Sequence, residues 1–243
     1  MRARARLVVE RVGDRAVVRE LVSVSPMTLL PQRGTGPVAV VHLVNSAAAP
    51  LGGDDLGLDV LVGPGAQLRL VGVAATVALP GTGRSTARTT LSVADGGECE
   101  YLPEPTVVTR HADHHAVLRV ALAGSGRVRL REVLVLGRKG EAPGHLTTET
   151  HVTRDGRPVL RQSLVIGDPV ADQALAGLAG HRVLATEVGA GHAAPPVRSG
   201  EWHSLVPLEG GYLATALADD AVTAAARLAE ALTGLDQPAA AAP

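Results

Sequence analysis

Apolar and polar residues alternate one by one along the chain from Arg2 to about Ile166. Leu56, Leu58, Val60 and Val62 interleave with Asp55, Gly57 and Asp59, and Leu68 and Leu70 with Gln67 and Arg69. Thr89, Leu91 and Val93 likewise oppose Arg88, Thr90 and Ser92. A period of two places successive side chains on opposite faces, so these segments predict strands with one covered face. Glycine turns interrupt them at Gly63-Pro64-Gly65, Asp95-Gly96-Gly97 and Gly124-Ser125-Gly126, spaced roughly 30 residues apart, and Asp155-Gly156 adds a hairpin signal. The near-repeat predicts stacked strand pairs, as in a β-solenoid or an elongated two-layer sandwich.

Helical pattern is confined to the C-terminal part. Asp168 to Gly180 predicts a short helix that Gly177 weakens. Asp219 to Leu232 predicts a better one, with Asp219 as N-cap, Val222, Ala225, Ala226, Ala229 and Leu232 on one face, and Gly234 beyond its end. Gly189-Ala190-Gly191 and Ala193-Ala194-Pro195-Pro196 predict an irregular loop between the two. The fold class expected is mostly β: one domain over 1–236, a stacked β-scaffold capped by one or two C-terminal helices, with a disordered Pro/Ala tail over 237–243.

Composition narrows the function. The 23 basic and 24 acidic residues nearly cancel, and one Trp, two Tyr and no Phe supply no platform for stacking bases, so no nucleic-acid partner is expected. No apolar run is long enough to span a bilayer, and the basic start is followed by Glu10 and Asp14 in place of a secretory h-region. The single cysteine, Cys99, has no partner for an internal disulfide, which points to a cytoplasmic setting.

One strand carries an anomaly. In Arg127–Leu136 the three arginines Arg127, Arg129 and Arg131 share a face, and Glu132 falls among Val128, Leu130, Leu134 and Leu136 on the other. A carboxylate on an apolar face is costly unless paired, hydrogen-bonded, protonated or wetted. Either Glu132 is functional, or a β-bulge turns it outward or an arginine pairs with it in the interior. Asp54, after Gly52-Gly53, either caps its own turn or offers oxygen to a cation. Glu104 is held between Pro103 and Pro105, where a strand must end or lie at an edge. His111, His114 and His115 form a candidate metal cluster, though without the helix or paired cysteines of a zinc motif. No nucleophile elbow is present, and Gly81-Thr82-Gly83-Arg84-Ser85 lacks the lysine of a phosphate loop.

Taken in order, Gly52-Gly53-Asp54, Gly65-Ala66, Ala74-Ala75-Thr76, Leu102-Pro103-Glu104-Pro105-Thr106 and Gly137-Arg138-Lys139-Gly140-Glu141, preceded by Glu132, resemble the urease accessory proteins called UreD or UreH. The likeness covers roughly His42 to Pro169, with a weaker echo from Trp202 to Leu217. The chain departs from the pattern at Val77, where the family has lysine, and at Val73, where it has glutamine. The resemblance implies a scaffold without turnover of its own. It would bind a UreF-type protein and apo-urease, and through them a UreG-type GTPase that delivers nickel. It implies no tightly bound cofactor, nickel only in transit, and an internal polar passage for which Asp54, Thr76, Glu132 and Glu141 are the expected oxygen donors. The alternatives are a β-sandwich metal-dependent enzyme using His111, His114 and His115, and a purely structural docking scaffold.

Overall fold

The computed structural model describes residues 1–235; the tail expected over 237–243 lies outside them. Eighteen strands and two helices are found among the described residues. Five strands run parallel in one sheet, called sheet A: β1 (Arg2–Val12), β5 (Asp55–Val62), β8 (Ser85–Val93), β11 (Asp113–Leu122) and β13 (His145–Arg154). Antiparallel partners β2 (Arg15–Val22) and β14 (Arg157–Ile166) close its two edges. In sheet B, β4 (Val38–Asn45), β6 (Gln67–Gly72), β9 (Glu98–Leu102) and β12 (Arg127–Leu136) are likewise parallel, with β3 (Met27–Pro31) at one edge. The chain alternates between sheets, β4 to β5 to β6 to β8 to β9 to β11 to β12 to β13, which makes each pair one coil of a β-solenoid-like stack.

The two kinds of corner differ. From sheet A to sheet B the glycine turns stack on one another: Gly65 donates its N–H to the Asp95 carbonyl at 3.0 Å, Ser125 N–H and Oγ reach Asp95 Oδ1 at 2.8 and 2.7 Å, and Gly124 N–H reaches Asp155 Oδ1 at 3.0 Å. A side chain at Gly124 would strike the Asp95 carboxylate. From sheet B to sheet A the corners hold short third strands, β7 (Thr76–Ala78) and β10 (Thr106–Val108), stacked in parallel with Leu134–Leu136 of β12. The interior between the sheets is aliphatic, built from Leu7, Leu58, Val60, Leu68, Leu70, Leu91 and Leu130 among others.

Beyond Ile166 the structure departs from the sequence pattern. The first predicted helix shrinks to α1 (Pro169–Gln173), capped by Asp168, and turns follow to Gly180. Four strands then extend sheet B: β15 (Val183–Ala190), which takes in Gly189 and Ala190 of the expected loop, β16 (Arg198–Gly200), β17 (His203–Leu208) and β18 (Gly211–Ala218). The final helix is α2 (Ala221–Ala231), and its N-cap is Asp220, one residue later than expected, accepting from Thr223 N–H at 2.9 Å. Its buried face is Ala224, Leu228, Ala231 and Leu232, whereas Val222 is 81% exposed. Of the predicted stripe, Val222, Ala225, Ala226 and Ala229 therefore face outward, and Leu232 alone is buried. In an alanine-rich helix two stripes compete, and the one carrying two leucines buries more apolar area. No helix among the described residues is long and apolar enough to cross a membrane.

Helix α2 covers one part of the outer face of sheet B, and ion pairs occupy the part beside it. Glu187, 1% exposed, accepts from Arg129 Nε at 2.8 Å, Arg131 Nη2 at 2.7 Å and the Tyr212 hydroxyl at 3.2 Å. Arg129 also reaches Glu100, which pairs with Arg69. Burial works against the charge of Arg129, but the two carboxylates outweigh it and raise its pKa. This network accounts for the outward arginine face of β12.

The helix correction yields a test. Leu228→Ala is expected to cost about 2–5 kcal/mol of unfolding free energy, and Val222→Ala within about 0.5 kcal/mol, in denaturant titration. The predicted face would reverse that order.

Candidate functional site

The corners from sheet B to sheet A and the ends of the adjoining strands border a half-open cavity of about 150 Å³, room for several water molecules. Its polar lining includes Asn45, Thr76, Thr89, Tyr101, Glu104, Thr106, His114 and Glu132, set among Leu43, Leu56, Leu58 and Pro103. Thr76 and Thr106 occupy matching positions in β7 and β10, opposite Leu134 of β12. Asn45 fixes Thr76 by donating from Nδ2 to Oγ1 at 2.8 Å. Glu104 is exposed at the rim, and β9 stops at Leu102 ahead of the two prolines.

Glu132 points inward, as strand parity requires, because β12 pairs with β15 through Val128–Val135 without a register shift. Its carboxylate accepts from Thr148 Oγ1 on β13, at 3.3 Å to Oε1 and 3.4 Å to Oε2. No arginine pairs with it: Arg131 points to the other face and binds Glu187, and Arg88 binds Asp55. Neither the bulge nor the buried ion pair holds. Glu132 retains some accessible surface, but that surface opens on the cavity, while protein surrounds the group on all sides. Burial therefore pushes its pKa up to about 7, with the Thr148 hydroxyl bond pulling the other way. An acid of this kind sits half-protonated near neutrality and can give up its proton when a cation arrives.

The other expected oxygen donors lie elsewhere. Asp54 is buried, which pushes its pKa up, yet the Met1 amino group at 2.6 Å and the Leu51 N–H at 2.8 Å outweigh this and hold it below the usual range. It caps its own turn. Gly52 lets that turn lie against the backbone of Gly81 and Gly83, where any Cβ would clash. Glu141 closes the Gly137–Glu141 loop by accepting from Arg138 N–H at 3.0 Å, which lowers its pKa. Arg182 holds the same loop through the carbonyls of Leu136, Arg138 and Glu141. Ala74 and Ala75 are exposed in the corner before Thr76, beside Val73, which is 56% exposed.

The three clustered histidines part company. His111 sits in a left-handed turn at φ 64°. His115 faces outward and meets Glu149 at 3.0 Å, with His151 on the same carboxylate at 3.7 Å. His114 faces inward, 2% exposed, with Nδ1 at 2.9 Å from Ser85 Oγ. Burial, then the neighbouring His115, depress its pKa to about 4, so the ring is neutral at physiological pH. Among the described residues no group of three or more His, Cys, Asp or Glu side chains is placed to hold a metal. Cys99 is sealed in the core, its thiol pushed up to about 12 by burial. The sequence reading missed His114 as an interior group, although the alternation through Asp113–Leu122 separates it from His115.

These features define a β-coil scaffold whose interior, among the described residues, places the Glu132 carboxylate without a cationic partner in a small, mainly apolar cavity. The family model for the UreD urease accessory protein matches residues 1–242. A urease accessory protein UreD 1 of Saccharopolyspora erythraea is 56% identical over 241 residues, covering 96% of this chain and 94% of that protein. Urease accessory proteins UreD of Frankia alni and Streptomyces coelicolor are 41% and 38% identical, covering 89% and 97% of this chain and 83% and 97% of their own lengths. The chain belongs to the UreD urease accessory protein family.

Glu132 gives a pH signature. A carboxyl whose folded pKa is raised stabilises the fold, relative to its ionised form, below the unfolded value near 4.5, and that contribution is lost as pH rises through about 7. Glu132→Gln is therefore expected to match the parent chain below pH 4.5 and to be more stable above pH 7 by at most about 3 kcal/mol. Denaturant midpoints across pH 4–8 check this; parallel curves would place Glu132 in bulk solvent.

Proposed function

We propose that the chain serves urease maturation as a scaffold that bridges apo-urease and the other accessory proteins, and that nickel crosses its interior through the Glu132 cavity. The partners on this reading are a UreF-type protein bound directly and a UreG-type GTPase joined through that complex. The observation that carries the reading is the hydroxyl-bonded carboxylate of Glu132 in a cavity lined by the family's own motif residues, Thr76, Glu104 and Thr106 among them. Membership of the accessory family supports the maturation role.

A route for an ion needs donors that bind weakly and in succession, since an ion held by a full cage does not leave. Glu104 at the rim, Thr76 and Thr106 in the wall and Glu132 inside are the oxygen donors of that route. Asp54 and Glu141 are left out of the route, because turn N–H groups already occupy their oxygens. Nickel is cargo here, and the chain's part is to exclude bulk solvent, present oxygen, and store or release a proton at Glu132.

The experiment is complementation of urease-operon cells that lack their own UreD-type protein, with the matched partners supplied. Urease activity and nickel per urease active site are both expected to recover with the parent chain. Glu132→Gln is expected to lower both at least about tenfold while the accessory complex still co-purifies, the scale of removing a transit ligand. Full activation by the glutamine variant would remove the ion route, and failure of the parent chain itself would remove the maturation role.

A further inference from the structure

His114 is a buried imidazole of the interior that the route above does not use. It lies on β11 beside Ser85 of β8 and Leu146 of β13. Ser85, 1% exposed, places its hydroxyl 3.3 Å from the Asp113 carbonyl, which can only accept. When the single hydroxyl proton goes there, Ser85 Oγ accepts from His114 Nδ1–H at 2.9 Å. That tautomer carries the lone pair on Nε2, the arrangement by which an outer hydrogen bond prepares an imidazole for a metal. Nε2 makes no hydrogen bond among the described residues, and it is not one of the sealed unpartnered ring nitrogens, which belong to His181, His192 and His203. His114 lines the cavity.

Register sets its distance from Glu132. The Glu132 carboxylate meets Thr148, which pairs with Ala116 of β11. His114 is the next inward position on that strand, roughly 7 Å further along.

We propose that His114 is a nitrogen-donating metal station in the cavity, one inward step from Glu132, and that it biases the interior toward borderline divalent transition ions over Mg²⁺ and Ca²⁺. The proposal rests on the reading of the cavity as an ion route and adds its selectivity. Carboxylates and hydroxyls alone do not discriminate in this way, since oxygen donors suit Mg²⁺ and Ca²⁺, whereas imidazole favours nickel, copper and zinc. Two stations of different chemistry also hand an ion on more readily than one chelating cage. His115, one residue away on the outer face, is the built-in control.

The test uses the full untagged chain with Ni²⁺ and Mg²⁺ in equilibrium dialysis, and nickel X-ray absorption to detect imidazole in the coordination shell. His114→Asn is expected to weaken Ni²⁺ binding at least about tenfold, leave Mg²⁺ binding unchanged and remove the imidazole scattering, while His115→Asn does none of these. Should His114→Asn fail to fold, Ser85→Ala keeps the ring, removes its Nδ1 partner, and is expected to weaken Ni²⁺ binding severalfold with no effect on Mg²⁺. Unchanged Ni²⁺ affinity and unchanged imidazole scattering in these variants overturn the proposal. If Glu132→Gln then still abolishes Ni²⁺ binding, the ion route survives without His114; if it too has no effect, the route falls with it.

Discussion

The stacking of successive corners fixes everything else in this molecule. Asp95 ties the turn at Ser125, Asp155 ties Gly124, and the Gly65 N–H ties the turn at Asp95, so each coil is locked to the next. In a strand of period two, a slip of one residue exchanges the faces. Such a slip in β12 would send Glu132 into solvent and Arg129 and Arg131 into the aliphatic interior. The corner ladder is thus what makes an inward carboxylate possible, and the Glu187 network on the far side makes the opposite register costly, since it would strand a buried charge.

The interior cavity follows from the same geometry. Corners from sheet A to sheet B are tight glycine turns. Those from sheet B to sheet A carry proline boxes and short strands, which add a third wall and leave room between the sheets. The short sequence boxes shared with the accessory family fall mainly at this second kind of corner. They shape the space around Glu132: the Gly52 turn by backbone contact with Gly81, Pro103 and Glu104 by ending β9, and Thr76 and Thr106 by stacking in register.

Much of this was legible in the sequence, for identifiable reasons. Alternation marked β5, β6, β8 and β12, turn chemistry marked the coil spacing, and parity alone turned Glu132 inward. The face of α2 was not legible, because small alanines on every side let the position of Leu228 decide the packing. Strand β15 was hidden by a run buried on both faces, Val183–Ala190, where alternation vanishes. Two buried residues, one on the outer face of sheet B and one in the cavity, carried signals that were not read. Glu187 breaks that apolar run just as Glu132 breaks its own, and His114 sits on the opposite strand face from His115.

The central claim is that Glu132 holds a proton in the cavity near neutral pH and exchanges it for a passing cation. Isotope-edited infrared difference spectroscopy, with labelled glutamate at pH 7, observes that event directly. The account predicts a protonated-carboxyl band that is present without metal, is lost on adding Ni²⁺, and is missing from the Glu132→Gln variant. A spectrum without that band, or a band indifferent to Ni²⁺, would contradict it.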